Sequence, residues 1–304
     1  MHLRKAGKTM KEKIRRGDRR DGVWVRDADI MHTFLPYIMP KRTDNEAMMS
    51  EEIDLAAVEE YVARKNADDP DFKYTFFHVI AAAIAKTVAL RPKMNRFYAG
   101  DRYYERRDVS LSFVVKKEFA DGGDEALAII KLDRNGDAPI EQIYREVRKV
   151  VKSVRTEVKT DSTTAQMGIF LKMPRPLLRF VMRTLRWLDY HGWYPKALMD
   201  IDPYYTSVFI SNLGSIGMQA QYHHLTNWGT NSFFVIIGRK RTVQPGTPEE
   251  HDVVPLGLTI DERIADGYYY SKSIRLLKYL LAHPDLLDRP AAEEVDMAQE
   301  PVSV

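Results

Sequence analysis

The stretch VPLGLTIDERIADG (254–267) joins a run of β-branched and aliphatic residues to a turn rich in charged side chains. The composition of 254–260 is typical of a β-strand, and a cluster of charged residues followed by glycine is typical of a tight connection. An amphipathic segment at 269–282 predicts a final helix. The stretch therefore predicts a strand, a charged turn and a packed helix in direct succession, with Gly267 allowing the close turn into the helix.

Further strand and helix candidates lie on the N-terminal side of this stretch. SVFIS (207–211) and SFFVIIG (232–238) predict strands, and TFFHVIAAAIAKTVAL (75–90) is apolar nearly all round, which predicts a helix buried on most faces. Additional strands are predicted at 102–105, 109–115 and 126–131, the first two as a pair. Helices and strands alternate without a repeated βαβ unit. The predicted fold class is therefore α/β (an α+β sandwich), with helices packed on a mixed β-sheet.

The composition limits the classes of function open to this protein. With 304 residues, 44% hydrophobic and 11% aromatic, the chain is long enough for a large buried core. The charges of its 46 basic and 43 acidic residues nearly cancel, so no nucleic-acid partner is expected. The chain has no cysteine, which excludes disulfides and a cysteine nucleophile, and no metal site is predicted. Because it has no apolar leader and no run of about 20 apolar residues, we expect a cytoplasmic protein without a transmembrane segment.

The two ends of the chain differ in composition from its body. Residues 1–22 alternate in charge with little apolar content and predict a basic N-terminal arm. Residues 289–304 are acidic and poor in aromatics and predict a flexible C-terminal tail. The folded domain is therefore expected to cover 23–288.

Several segments occur in the order and approximate spacing of one family. VFISNLGSIG (208–217) resembles the serine-containing strand of the dihydrolipoamide acyltransferase core, and FFVIIGRKR (233–241) resembles the family's next long strand. LGLTIDERIADG (256–267) occupies the place of the family's DHRxxDG signature, and 73–115 is similar to its succession of apolar helix, P-x-x-N and hairpin. Across 31–284 the chain thus resembles the catalytic domain of 2-oxo acid dehydrogenase acyltransferases and chloramphenicol acetyltransferase.

This resemblance implies a chloramphenicol acetyltransferase-like fold, a homotrimer or an assembly of trimers, and active sites between subunits. It implies an acyltransferase that moves an acyl group between coenzyme A, bound as acyl-coenzyme A, and an acceptor. In the 2-oxo acid dehydrogenase complexes the acceptor is a lipoyl thiol. No lipoyl segment precedes the core in this sequence, so we expect no covalently attached lipoyl group here and a lipoyl-bearing protein as a separate partner.

The signature departs from the family at its catalytic position. The family has a histidine there, which takes the proton from the attacking thiol, and this sequence has Glu262. An imidazole with a pKa of about 6.5 suits that role better than a carboxylate with a pKa of about 4.3. Glu262 is therefore either a base whose pKa burial raises, in an altered acyltransferase, or the mark of a catalytically inactive oligomeric scaffold or binding relative. His223 or His224 is a third source of a base, against the alternative that both are ordinary loop residues.

The resemblance assigns roles to further residues. Ser211 matches the family serine whose hydroxyl hydrogen-bonds the oxyanion of the tetrahedral intermediate, and the alternative is an ordinary serine at a strand end. Asp266 matches an aspartate that forms a structural salt bridge with an early arginine, for which Arg42 is the candidate. Asp261 and Arg263 complete the signature, or serve as a capping residue and a surface charge. No particular residues are predicted to bind the cofactor.

One basic helix receives no role from the resemblance. The segment 176–187 is predicted to be helical, with Arg175, Arg179, Arg183 and Arg186 on one face. This face is interpreted as a solvated surface, a contact for coenzyme A phosphates, or a contact for an acidic membrane surface. A peripheral membrane or nucleic-acid binder built around the arginines is thus a third hypothesis, beside the transferase and the inactive scaffold.

Overall fold

The computed structural model describes residues 14–116, 125–156 and 172–297. The α-helices of these ranges are α1 (Ile30–Ile38), α2 (Ala56–Lys65), α3 (Phe76–Leu90), α4 (Pro139–Thr156), α5 (Arg175–Tyr190), α6 (Lys196–Met199) and α7 (Gly267–Ala282). The strands are β1 (Gly22–Trp24), β2 (Glu46–Asp54), β3 (Arg96–Ala99), β4 (Arg102–Arg106), β5 (Val109–Lys116), β6 (Glu125–Leu132), β7 (Val208–Asn212), β8 (Phe233–Ile237), β9 (Arg241–Val243) and β10 (His251–Asp261). None of the helices in these ranges combines the length and the apolar character that crossing a bilayer requires.

A seven-stranded mixed sheet forms the centre of the domain. Its strand order is β2-β10-β8-β7-β5-β6, with β9 paired to one end of β10. β7 runs parallel to both β5 and β8, and the other neighbours are antiparallel. Helices α2, α3, α4 and α7 cover one face, where apolar residues of the central strands join the main core. The predicted mixed sheet with packed helices is therefore confirmed.

Helix α3 is the buried element on which the helical layer is built. The twelve consecutive residues from His78 to Ala89 are all buried, as its uniformly apolar sequence predicts. Lys86 lies within this run, and its Nζ donates hydrogen bonds to the carbonyl oxygens of Leu286, Arg289 and Pro290. A buried ammonium group is thereby satisfied by the chain that follows the last helix.

The N-terminal boundary of the folded domain differs from the prediction. Arg19 is 1% exposed, and its guanidinium pairs with Asp21 at 2.9 Å and with Asp189 at 2.6 Å. Gly22 begins β1, which pairs with β4 in a separate sheet of order β1-β4-β3. The predicted pairing of β4 with β5 is therefore wrong, and the arm expected at 1–22 is folded against the domain from Arg19 onward. Residues 1–13 lie outside the described ranges.

At the C-terminus, too, the folded domain extends beyond the predicted boundary. The expected tail begins at Arg289, yet Ala291 is fully buried, and the backbone N–H of Ala292 donates to the carbonyl oxygen of Arg134. The side chains of Val295 and Met297 pack against the main core. The tail is therefore part of the domain as far as Met297, and 298–304 lie outside the described ranges.

His78 occupies the third position of α3 and completes a capping box with Thr75. Its Nδ1 accepts the backbone N–H of Thr75 at 3.1 Å, and the side chain is 3% exposed. Burial lowers the pKa of His78 to about 4. The imidazole is therefore neutral in the folded protein near pH 7 and carries its proton on Nε2.

We expect this histidine to make the protein sensitive to acid. The unfolded chain takes up the proton at a pKa of about 6.5, above the folded value, so stability is lost as the pH falls from 6.5 towards 4. His78→Gln keeps an acceptor for the Thr75 N–H but does not titrate. Urea unfolding at pH 7 and pH 4 should show that the wild type loses about 3 kcal/mol more than the variant between these values. Equal losses would contradict the buried neutral state.

Candidate functional site

Ser211 lies near the C-terminal end of β7 and lines a cavity of about 510 Å³. The walls come from α3, α4, β5 and the turn after β7, and include Phe77, His78, Phe113, Val147, Val151 and Ile216. Lys73 and Lys116 also line it. The serine is thus placed on a rigid strand beside a largely apolar space with basic residues among its walls, which suits an apolar ligand that carries negative charge.

His78 lines this cavity too, and the sequence did not single it out. The sequence could have indicated its capping role, because His78 lies three residues after Thr75, where glutamate or glutamine completes a capping box with a threonine N-cap. A histidine there serves the same capping function while remaining neutral in a buried position. Its Nε2 has no hydrogen-bond partner among the described residues.

A second side chain lies on the same sheet face as the serine. Phe209, two residues before Ser211, stacks on Phe234 of β8 with the ring centres 4.7 Å apart. Alternate residues of a strand share a face, so the side chain of Ser211 points to the side of Phe209, opposite to the face on which α3 and α4 wall most of the cavity. The ring of His223 stacks on Phe234 at 4.1 Å, nearly parallel to it. The loop between β7 and β8 therefore holds His223 over the face to which Ser211 points.

The hydrogen bond of His223 fixes which ring nitrogen is free. Its Nδ1 lies 2.7 Å from the carbonyl oxygen of His224. A carbonyl oxygen only accepts, so Nδ1 carries the proton and Nε2 of the neutral ring holds a lone pair. The ring of His224 stacks on that of His223 at 4.6 Å. His223 is half-buried and His224 is exposed, so the two are not equivalent.

Glu262 lies far from Ser211 within one chain. Both Ser211 and Gly257 are level with Ile236, on either side of β8, and Glu262 is five positions beyond Gly257. Five residues at about 3.3 Å and two strand spacings of about 4.8 Å give a separation of roughly 20 Å. The Glu262 side chain is exposed, and its backbone N–H donates to the carbonyl oxygen of Asn45. One chain therefore does not bring these two predicted catalytic residues together.

Asp261 is the electrostatic centre of the signature. It is fully buried, and its carboxylate accepts from Arg263 Nε at 2.8 Å and Nη2 at 2.7 Å. Arg42 is also buried, with Nε 3.7 Å from Asp261 Oδ2, and burial lowers its pKa to about 10. Asp261 also accepts the backbone N–H of Arg263 and so caps the short 3₁₀ turn. The reading of Asp261 as a capping residue is correct, whereas Arg263 is buried and not a surface charge.

Two expectations for the end of the signature are wrong. Arg42 pairs with Asp261, and Asp266 is exposed and accepts the backbone N–H of Tyr269 as the N-cap of α7. A Cβ added to Gly267 would meet nothing within 4 Å, and its φ is not positive. Glycine is therefore not required at this position by a close approach of the backbone.

A further cavity begins on the other side of the histidine loop. It measures about 480 Å³ and is lined by Thr43, Arg186 and the segment from His224 to Trp228. Arg186 also lines a neighbouring cavity of about 350 Å³ with Lys41. Arg186 lines both cavities and is therefore placed to contact a phosphate near His224, whereas Lys41 lines the neighbouring cavity alone. No cluster of three or more metal-ligating His, Asp or Glu side chains occurs in the described part of the chain.

Comparison with known proteins places this geometry in a known fold. No family model matches the sequence. The lipoamide acyltransferase component of the branched-chain α-keto acid dehydrogenase complex of Bacillus subtilis (strain 168) is 21% identical over 217 residues. That match covers 70% of this chain, which spans only 40% of the relative's length.

Solved structures give the clearer likeness. A probable dihydrolipoamide acetyltransferase from Listeria monocytogenes 4b F2365 superposes with a TM-score of 0.54 at 20% identity, covering 88% of this chain and 96% of that one. Chloramphenicol acetyltransferase superposes with a TM-score of 0.55 at 11% identity, covering 86% and 99%. The protein therefore has the chloramphenicol acetyltransferase-like fold of these acyltransferase cores, as its sequence motifs predicted.

Proposed function

We propose that the protein is a coenzyme A-dependent acyltransferase that uses Ser211 to stabilise the oxyanion of its tetrahedral intermediate. The proposal is carried by the placement of the Ser211 side chain on the sheet face over which His223 is held. A hydroxyl fixed on a strand is a preorganised donor of the kind that acyl transfer requires. The likeness in fold to acyltransferase cores adds support without establishing the reaction.

The reaction consists of a thiol attacking a thioester. The base takes the proton from the acceptor thiol, and its sulfur forms a bond to the carbonyl carbon of acyl-coenzyme A while the carbonyl electron pair moves to oxygen. Ser211 donates its hydroxyl proton to that oxygen as a hydrogen bond. When the intermediate collapses, the bond to the coenzyme A sulfur breaks, and this sulfur receives the proton from the base.

The base comes either from the same chain or from a second copy. His223 offers an unprotonated Nε2 on the face of Ser211, whereas Glu262 is roughly 20 Å away and reaches a Ser211 only across a subunit contact. An imidazole is the better base for a thiol at pH 7. We therefore assign the base to His223, with Glu262 of a neighbouring subunit as the alternative.

A homotrimer is part of this proposal. Helix α1 exposes Ile30, Phe34 and Ile38 by 89%, 56% and 56%, and the carbonyl oxygen of Met39 after it accepts from Arg263 of the signature. An apolar face of this kind beside Glu262 fits coverage by a second copy. The acceptor we propose is a lipoyl thiol on another protein, in the cytoplasm, with Arg186 and Lys41 near the phosphates of coenzyme A.

Conversion of acyl-coenzyme A and dihydrolipoamide into coenzyme A and acyl-dihydrolipoamide tests the function, and the products are separated by chromatography because the number of free thiols does not change. Ser211→Ala should lower kcat by about 10²–10³-fold, because an oxyanion donor is lost. Ser215→Ala is the matched control, since Ser215 lines the same cavity but bonds to the carbonyl oxygen of Asn212. It should leave kcat within about threefold of wild type. Equal activity of the two variants would remove Ser211 from the mechanism.

A catalytically inactive scaffold is the second candidate function. It is favoured by Glu262, which replaces the expected histidine and is exposed. An inactive relative would form the same oligomer, bind acyl-coenzyme A or a carrier protein without turnover, and tolerate Ser211→Ala. Binding of acyl-coenzyme A without formation of acyl-dihydrolipoamide, for acyl groups from acetyl to octanoyl, would decide for this candidate.

A further inference from the structure

The outward surface of α5 carries aromatic side chains next to arginines. Leu177, Phe180, Trp187 and Tyr190 are 48%, 67%, 54% and 51% exposed, and Trp193 just beyond the helix is 59% exposed. Large apolar side chains exposed together indicate a contact surface rather than a free one. Helix α1 also exposes apolar side chains but contains no arginine, so the basic residues of α5 need a separate explanation.

The inner face of α5 holds the helix firmly on the domain. Leu185 is 8% exposed and belongs to a small core with Tyr194, Met199 and Tyr205. At about 100° per residue, Trp187 and Phe180 lie nearly opposite Leu185. Phe180 and Trp187 therefore point away from the protein and are presented by a packed helix, whereas the hydroxyl of Tyr190 donates to Asp101.

The charges of α5 are arranged for an anionic partner. Arg175, Arg179, Arg183 and Arg186 are exposed and make no ion pair or hydrogen bond within the described residues. Helical spacing places them along one flank of the aromatic residues. The single acidic residue of the helix, Asp189, is turned inward to Arg19 at 2.6 Å. The outward face is thus basic without compensation.

Trp187 and Trp193 form one projecting group at the end of α5. Their ring centres are 5.5 Å apart, and the ring of His191 stacks on that of Trp193 at 5.2 Å. Tryptophan prefers the boundary between headgroups and acyl chains, where an apolar ring meets a polar layer. A helix with aromatic residues beside a row of arginines is the pattern of an interfacial helix that lies on an anionic bilayer.

We propose that α5 and Trp193 form a membrane-docking surface for anionic lipid bilayers. Arg175, Arg179 and Arg183 bind the phosphates of the headgroups, while Phe180, Trp187 and Trp193 enter the interfacial layer. The domain then lies on the membrane with α5 parallel to the plane of the bilayer. This inference is independent of the acyltransferase proposal, because neither Ser211 nor His223 takes part.

Sedimentation with phosphatidylcholine vesicles, with and without phosphatidylglycerol, tests the surface. The wild type should bind the phosphatidylglycerol vesicles and release them at high salt, since each basic residue near an anionic surface changes partitioning about fivefold. Arg179→Glu combined with Arg183→Glu should weaken binding by more than about tenfold. Phe180→Ser combined with Trp187→Ser should do so by about tenfold or more through lost apolar insertion.

Exposed residues of the same types on α7 provide matched controls. Tyr268 is 71% exposed and Arg275 is exposed, so Tyr268→Ser and Arg275→Glu make the same chemical changes away from α5. Both should bind vesicles like the wild type. Quenching of tryptophan fluorescence by brominated lipids should occur in the wild type and fall in Trp187→Ser.

Three results would overturn the proposal. The first is a wild type that does not sediment with anionic vesicles at low salt. The second is equal binding by the α5 variants and the wild type. The third is an effect of the α5 variants on oligomeric state in sedimentation velocity, or on binding to DNA, without any vesicle binding, which would assign the surface to a second copy or to nucleic acid.

Discussion

Replacing Asp261 by asparagine is expected to lower the free energy of unfolding by about 3–5 kcal/mol, because a buried ion pair loses one partner. Asp261 is fully buried, and it is the carboxylate that faces the guanidinium groups of both Arg42 and Arg263. The amide of asparagine keeps the shape but not the charge. Both buried arginines would then rely on backbone carbonyl oxygens, such as those of Tyr98 and Met39.

Urea unfolding of Asp261→Asn and the wild type measures this effect. Asp285→Asn is the control, because Asp285 pairs with Arg64 at 2.6 Å but its side chain is 67% exposed. An exposed ion pair contributes little, so the control should stay within about 1 kcal/mol of wild type. If the two variants unfold alike, the charge of Asp261 does not hold the signature in place.

The strands of the second half were predictable because their sequences leave few alternatives. β7, β8 and β10 are short runs of β-branched and aromatic residues bounded by glycine, asparagine or charged turns, and each occurs within a few residues of its predicted place. The burial of α3 was predictable for a similar reason, since a helix without a polar face has to be enclosed. These elements depend on local composition.

The partners of β4 and of Arg42 were not predictable in the same way. β4 and β5 are neighbours in sequence and read as a hairpin, yet β4 joins β1 and β3 while β5 joins β7 in the main sheet. Strand pairing is decided by the whole arrangement of layers and not by proximity along the chain. The chain also has many arginines, and only the folded structure shows that Arg42 reaches Asp261.

The sequence motifs located the candidate residues but not the distance between them. Ser211 and Glu262 belong to segments that resemble one family's catalytic motifs, yet in the sheet they lie two strand spacings apart and five residues apart along the strand direction. Two contacts that no sequence motif shows make His223 a candidate base. These are the stacking on Phe234 and the bond from Nδ1 to the carbonyl oxygen of His224.

The identity of the base decides whether the active site belongs to one chain or is shared by two. If His223 is the base, then Ser211 and the base come from the same subunit. If Glu262 is the base, each site combines Ser211 of one subunit with Glu262 of another. The two arrangements predict opposite results when inactive variants are mixed. A site shared by two subunits regains activity when one variant supplies Ser211 and the other supplies the base, whereas a site within one subunit does not.

His223→Gln is expected to lower kcat/KM for acyl transfer to dihydrolipoamide by about 10²–10⁴-fold, the contribution of a general base. Glu262→Gln and the control His224→Gln should each stay within about threefold of wild type. Mixed oligomers of Ser211→Ala with His223→Gln should remain inactive, because no subunit holds both groups. A large loss in Glu262→Gln, with activity regained by mixing it with Ser211→Ala, would instead place the base on the neighbouring subunit. Wild-type activity in both His223→Gln and Glu262→Gln would remove each of them as the base.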